Sequence, residues 1–163
     1  MIVVADASPL RYLLLIEAVQ VLPDLFGRVS IPPAVLDELT RVNTPEPVRR
    51  WISHLPDWLD LRAPRRSPSL LPLTLGAGER EAITLAEELK ADALLVDDWA
   101  ARREAERRNL VVQGTLGLLS LASERGLVDL TEAICRLRTT NFRASEELLR
   151  SMLDRDRDRK KLS

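Results

Sequence analysis

Residues that staple a chain or ligate soft metals are nearly missing from this sequence: among 163 residues there is one cysteine and one histidine. Cys135 alone cannot close an internal disulfide or build a thiolate zinc cluster, which fits a reducing compartment. Any Ser-His-Asp or Cys-His relay would have to run through His54, set in the polar stretch Trp51-Ile52-Ser53-His54-Leu55-Pro56. A long apolar run at the start is missing as well. Met1 is followed by an acid at Asp6, too early for a signal peptide and far too early for a spanning helix of roughly 20 residues, so a cytoplasmic location away from membranes is expected. Charge of one sign is also lacking. With 24 basic against 25 acidic side chains, the formal net charge is −1, which argues against gripping duplex DNA by bulk charge. What is present is ordinary for a globular chain: 45% hydrophobic and 30% charged residues, enough for one domain. We expect that domain over residues 1–153 and a charged tail over 154–163. The tail, Asp154-Arg155-Asp156-Arg157-Asp158-Arg159-Lys160-Lys161, alternates in sign without apolar spacing, as a solvated helix end or a disordered tail does.

Short apolar runs alternate with helical periodicity. Ile2 to Ala5 reads as a strand covered on both faces, and Asp6-Ala7-Ser8-Pro9 turns into a helix with Leu10, Leu13, Leu14 and Val19 along one stripe. Arg28 to Ile31 is a second strand, and Pro32-Pro33 opens a helix burying Val35, Leu36 and Leu39. Pro45 and Pro47 start a helix through Trp51, and Trp58 to Leu61 has the alternation of a half-buried or edge strand. Pro64 to Pro72 is a loop. Thr74 to Gly78 leads into a helix with Ala82, Ile83, Leu85, Ala86 and Leu89 on one face, and Ala93 to Val96 is a buried strand ending at Asp97-Asp98. Asp98 is placed to cap a helix over Trp99 to Arg108, Leu110 to Val112 is a strand, and Gly114-Thr115 starts a helix reaching Gly126. Asp129 or Thr131 caps the next helix and Ser145 the last. This alternation predicts an α/β fold with a mainly parallel central sheet flanked by helices.

Ligands of open α/β sheets bind at the carboxyl ends of the strands, and two of those ends are acidic here, at Asp6 and Asp97. Glu79 starts the helix feeding the later strand. Glu38 lies mid-helix at the border of a buried stripe, where neither capping nor the helix dipole accounts for an acid. Each of the others has a bland reading as a cap or dipole partner; convergence of all four would need a divalent cation to relieve their repulsion. Oxygen ligands without histidine or cysteine select Mg²⁺ or Mn²⁺, whose usual chemistry is on phosphate oxygens. A receiver-like phosphoacceptor needs an acidic pair after the first strand; Asp6 stands alone, and Lys90 is the only lysine before the tail.

The stretches Val3-Val4-Ala5-Asp6-Ala7-Ser8-Pro9-Leu10, Ile31-Pro32-Pro33-Ala34-Val35-Leu36-Asp37-Glu38-Leu39, Leu75-Gly76-Ala77-Gly78-Glu79-Arg80-Glu81-Ala82-Ile83 and Leu94-Leu95-Val96-Asp97-Asp98 through Arg102 occur in this order, followed by Gly114-Thr115-Leu116-Gly117-Leu118-Leu119. Together they make the chain resemble PIN-domain proteins, the group that includes the VapC-type ribonuclease toxins, and most of all a compact nucleic-acid-binding branch of that group. The resemblance implies a three-layer PIN-like fold. It also implies that Asp6, Glu38, Glu79 and Asp97 are the metal-binding, catalytic acids, with Ser8 as the hydroxyl that orients the first. The family usually has aspartate at the third position, where this chain offers Glu79 or Glu81. The eighteen-residue interval between Glu79 and Asp97 makes that pair the first choice, with Glu81 and Asp98 as neighbours that bind metal through water. The implied activity is a Mg²⁺- or Mn²⁺-dependent endoribonuclease, the toxin of a toxin-antitoxin pair, acting on single-stranded or looped RNA. Its implied partners are a cognate antitoxin and a second copy in a homodimer. Arg11, Arg49, Arg50, Arg65, Arg66, Arg102 and Arg103 are candidates to hold the RNA backbone. The alternative is a catalytically weak PIN-like module that binds nucleic acid or protein.

Overall fold

Val3, Val4 and Ala5 are all buried although successive strand side chains point to opposite faces, so this strand is covered on both sides. In the computed structural model, which describes residues 1–162, it is β1 (Val3–Ala5), the middle of a five-stranded sheet. β2 (Val29–Ile31), β3 (Leu59–Leu61), β4 (Ala93–Leu95) and β5 (Val112–Gln113) complete it in the order β3-β2-β1-β4-β5, every pair parallel. The helices are α1 (Ala7–Leu15), α2 (Val21–Phe26), α3 (Pro33–Leu39), α4 (Glu46–Ile52), α5 (Ala77–Leu89), α6 (Trp99–Arg107), α7 (Thr115–Glu124), α8 (Leu130–Leu137) and α9 (Glu146–Leu162). On one face Val3 and Ala5 pack with Leu10 and Leu13 of α1, Leu118 and Leu119 of α7, and Ile134 of α8. On the other, Val4, Leu94 and Val96 pack with Ile83 of α5 and with Ala101 and Ala105 of α6. The α/β fold with a parallel sheet expected from the alternation, and the three layers implied by the resemblance, are observed, with β3 at the sheet edge.

Several boundaries differ from the periodicity, each for a local reason. The stripe extended to Val19 is cut at Glu17, which takes a left-handed backbone with φ 58°. There Ala18 N–H bonds back to Leu13 O at 2.8 Å and Glu17 N–H to Leu14 O at 3.1 Å, the paired bonds that end a helix. Val19 therefore lies in a turn, and α2 follows as a separate helix that the sequence did not reveal. β5 begins at Val112 rather than Leu110 because Asn109, at φ 63°, ends α6 in the same way, with Leu110 N–H bonded to Ala105 O at 3.0 Å. Leu36, expected with Val35 and Leu39, is only half-buried. The loop from Pro64 carries a single 3-10 turn, Pro68–Leu70, and is tied to α5 where Glu88 accepts from the Arg65 and Arg66 N–H groups at 2.8 and 2.6 Å. Asp129, not Thr131, caps α8, accepting from Glu132 N–H at 3.0 Å, and Ser145 accepts from Leu148 N–H at 3.0 Å.

The charged stretch from Asp154 continues α9, and it is not wholly solvated. Asp156 is buried, accepting from Ser123 Oγ at 2.8 Å and facing Arg159 Nη2 at 2.9 Å and Lys160 Nζ at 3.0 Å. Burial alone would raise its carboxyl, but the hydroxyl and the two cations prevail and hold it down at about 2. This network ties α9 to α7.

Candidate carboxylate site

β2 flanks β1 on one side and β4 on the other, so the direction of travel across the sheet reverses between them. Such a reversal opens a crevice at the carboxyl ends of the two strands. Asp6 follows β1 directly, its N–H bonded to Leu95 O at 2.8 Å, and Asp97 stands just beyond β4. Both acids therefore leave the sheet at the reversal.

Asp6 occupies the N-cap position of α1 but its side chain caps nothing. It is 4% exposed, and its Oδ1 has no hydrogen-bond partner. Nearly every buried polar atom is paired, so an orphaned carboxylate oxygen needs a reason. Burial pushes the Asp6 carboxyl up to about 8, offset in part by the Ala7 N–H and reinforced by the charges of Glu79, Glu38 and Asp97. Those same three acids are the ones the sequence singled out. Glu38 arrives on α3, half-buried, with its carbonyl held by the buried Thr44 hydroxyl at 3.0 Å. Gly78 makes the approach possible, because a Cβ there would stand 3.3 Å from Asp6 Oδ1, 3.5 Å from Val35 Cγ2 and 3.8 Å from Glu38 Oε2. Asp6 and Glu38 thus face one small space that glycine keeps open.

Glu79 opens α5 and accepts from Gly76 N–H at 2.7 Å through one oxygen. Its carboxyl is raised, first by burial and then by Asp98 and Glu38, with the Gly76 bond opposing. Glu81, the alternative third acid, is turned toward α3, where it accepts from Ala34 N–H at 3.1 Å. Asp98 caps α6, accepting from Ala101 N–H at 2.9 Å. Ser8 is half-buried in the first turn of α1, and the unpaired oxygen of Asp6 receives nothing from it.

Asp97 is held differently. Thr115 N–H donates to its Oδ1 at 2.7 Å and the Thr115 hydroxyl to its Oδ2 at 2.7 Å. Burial raises the Asp97 carboxyl against both of these bonds and the Arg102 charge. Gly114 again allows a close approach, since a Cβ there would lie 2.6 Å from Arg102 Nη1 and 2.9 Å from Asp97 Oδ1. The sequence placed Thr115 in a characteristic stretch without giving it this task; the available signal was a Gly-Thr pair following a short strand. Thr115 is fully buried, so Thr115→Val keeps its shape and removes one bond to Asp97. We expect a melting temperature lower by about 2–4 °C and an Asp97 carboxyl titrating higher, read by carboxyl-carbon NMR. An unshifted titration would show that the hydroxyl does not hold Asp97.

A cleft of about 570 Å³ opens over this region, lined by Ser8, Glu79, Asp97 and Asp98 together with Arg102, Asn141 and Arg143. Asp6, nearly closed off from solvent, is not in its wall. Of the arginines proposed for nucleic acid, Arg102 alone lines it; Arg50 pairs with Glu46, Arg66 lies by Glu87 and Glu88, and Arg103 sits 5.3 Å over the Trp99 ring. A family model described as a PIN domain matches residues 2–157. The chain belongs to the PIN domain family. PIN domains are generally metal-dependent nucleases that act on nucleic acids, typically with Mg²⁺ or Mn²⁺. A comparison with curated proteins finds no match. Among the described residues no helix is long and apolar enough to cross a membrane.

The residues present fit a hard divalent cation in one mode. No three His, Cys, Asp or Glu side chains among the described residues form a ready-made cage. Mg²⁺ is commonly held by one or two carboxylates with the remaining positions filled by water and substrate oxygens. The unpaired Asp6 oxygen, which shares its space with Glu38 and feels the charges of Glu79 and Asp97, suits that mode.

Proposed function

We propose that this PIN-domain protein is a Mg²⁺- or Mn²⁺-dependent endoribonuclease that hydrolyses phosphodiesters in single-stranded RNA, with Asp6, Glu38, Glu79 and Asp97 as its acids. The observation that carries this reading is the buried, unpartnered Oδ1 of Asp6 among the charges of Glu38, Glu79 and Asp97. Asp6 and Asp97 would hold the cation, with Glu38 and Glu79 completing its surroundings directly or through water. When bound, the cation would polarise the phosphate and acidify a water that serves as nucleophile. Thr115 fixes the Asp97 rotamer by bonding both oxygens, Gly76 fixes Glu79, and Arg102 brings a positive charge beside Asp97 where phosphate oxygens would gather. The finer biological role we propose is the toxin of a toxin-antitoxin pair, working in the cytoplasm as a homodimer and silenced by a cognate antitoxin.

A second reading, a catalytically weak binding module, draws support from the oxygens of Asp97 and Glu79 already committed to backbone and hydroxyl donors, with no preformed cage among the described residues. The deciding experiment uses metal-stripped protein and end-labelled single-stranded RNA. Cleavage restored by Mn²⁺ or Mg²⁺ and abolished by chelator supports the nuclease. Binding without cleavage at any concentration of either ion supports the second reading.

A further inference from the structure

The cleft over the carboxylates does not end at Arg102. A second groove of about 410 Å³, walled by α7 and α9, shares Arg102, Leu116, Gly117 and Leu148 with it, so the two form one trough. Leu116, Leu148 and Met152 give the trough apolar side chains. Arg143 stands at the cleft end, Arg102 at the junction and Arg155 beyond it. None of these three has a carboxylate within ion-pair distance among the described residues. Arg155 is held in place, because the next residue is the buried Asp156 that ties α9 to Ser123. The charged end of the chain thus anchors the backbone of α9 at the position from which Arg155 lines the trough.

We propose that this trough is the path of a single-stranded nucleic acid leaving the carboxylate site, with bases against the aliphatic side chains and phosphates on Arg102, Arg143 and Arg155. The inference rests on the nuclease reading for the identity of the strand. Guanidinium groups suit phosphates by their planar, bidentate geometry, and a recessed trough with an apolar lining suits bases freed from pairing. A duplex has no unstacked bases to offer such a lining, and the balanced charge of the chain supplies no broad basic face for one. An acidic peptide would satisfy the arginines equally well, but nothing would draw it on to the carboxylate end. A phosphodiester strand has that reason, because the bond to be cut must reach the acids.

The test measures binding and cleavage separately. Anisotropy of a fluorescein-labelled single-stranded RNA of about 12 nucleotides is followed in chelator, with wild type, Arg155→Glu, Arg143→Glu and, as a charge-matched control outside the trough lining, Lys90→Glu at the end of α5 that leads into β4. Each arginine variant should weaken binding about tenfold and lower the slope of log Kd against log salt by about 0.7, with the control unchanged. Binding equal to wild type in both arginine variants, or no RNA binding by the wild type, overturns the proposal; a trough that then captures a protein partner would be a protein interface. An equal loss for duplex RNA overturns the single-strand assignment. Cleavage by the wild type with binding unaffected by either variant removes the trough and leaves the nuclease. Arginine-dependent binding without metal-dependent cleavage removes the nuclease and leaves the trough.

Discussion

Asp6→Asn is expected to lower metal-dependent RNA cleavage by at least about a hundredfold while leaving the fold intact. The substitution is isosteric at a position 4% exposed, so the packing of Ala7, Val35 and Gly78 around it is kept. What changes is charge and hydrogen-bonding character. The unpaired Oδ1 becomes either a neutral carbonyl or an amide NH₂, and the second of these points protons at the place where a cation would bind. No other carboxylate takes its place easily: Asp97 and Glu79 are fixed where they stand by their bonds to Thr115 and Gly76. Cleavage of end-labelled single-stranded RNA at saturating Mn²⁺, with circular dichroism to verify the fold, reads the effect. Wild-type kcat/KM in this variant would remove Asp6 from the catalytic machinery.

How far the fold could be read from the sequence depends on the distance over which each feature is specified. β1 and β4 are legible because burial on both faces demands unbroken apolar runs, and Asp98, Asp129 and Ser145 because a cap is satisfied within three residues. The helix end at Glu17 is not, and although the ends before Lys90 and Asn109 were legible to within a residue, the positive φ at all three was not. Glycine is the usual marker of that conformation, and none of the three is glycine; Gly126 at φ 72°, which ends α7, is the one the sequence announced. In the candidate site, Asp6 and Asp97 were legible as acids at strand ends. The different surroundings of Glu79 and Glu81 were not, since spacing alone does not show that one helix turn meets Gly76 and the other the start of α3. Thr115 and Asp156 were hidden for a simpler reason: their partners, Asp97 and Ser123, are supplied by the tertiary fold.

Without metal, the protein should lose stability as the pH rises from 5 to 9, and Asp6→Asn should remove much of that loss. Folding raises the Asp6 carboxyl from its ordinary 3.8 to about 8, chiefly by burial. Between those values the folded chain holds a proton that the unfolded chain has released. Stability therefore falls by up to about 1.4 kcal/mol for each pH unit across the window. The contribution is fully present below 3.8 and gone above about 8. Asp97 and Glu79, also raised, act in the same sense. Asp156 acts in the opposite sense and elsewhere: held down at about 2, it contributes above its ordinary 3.8 and is lost only as the pH falls from there toward 2. The alkaline side of the profile thus belongs to the carboxylate site, and the acid side to Asp156 together with Asp60 and Glu88, which are held down by Arg28 and by the Arg65 and Arg66 N–H groups. Thermal melts in chelator should show Asp6→Asn raising the melting temperature by roughly 5–10 °C at pH 9 and by much less at pH 5. Saturating Mn²⁺ should stabilise the wild type more at pH 9 than at pH 5, because binding requires the ionised carboxylates that low pH removes. Equal shifts for Asp6→Asn at the two pH values would mean that Asp6 is ionised in the folded chain throughout and that burial does not hold its proton.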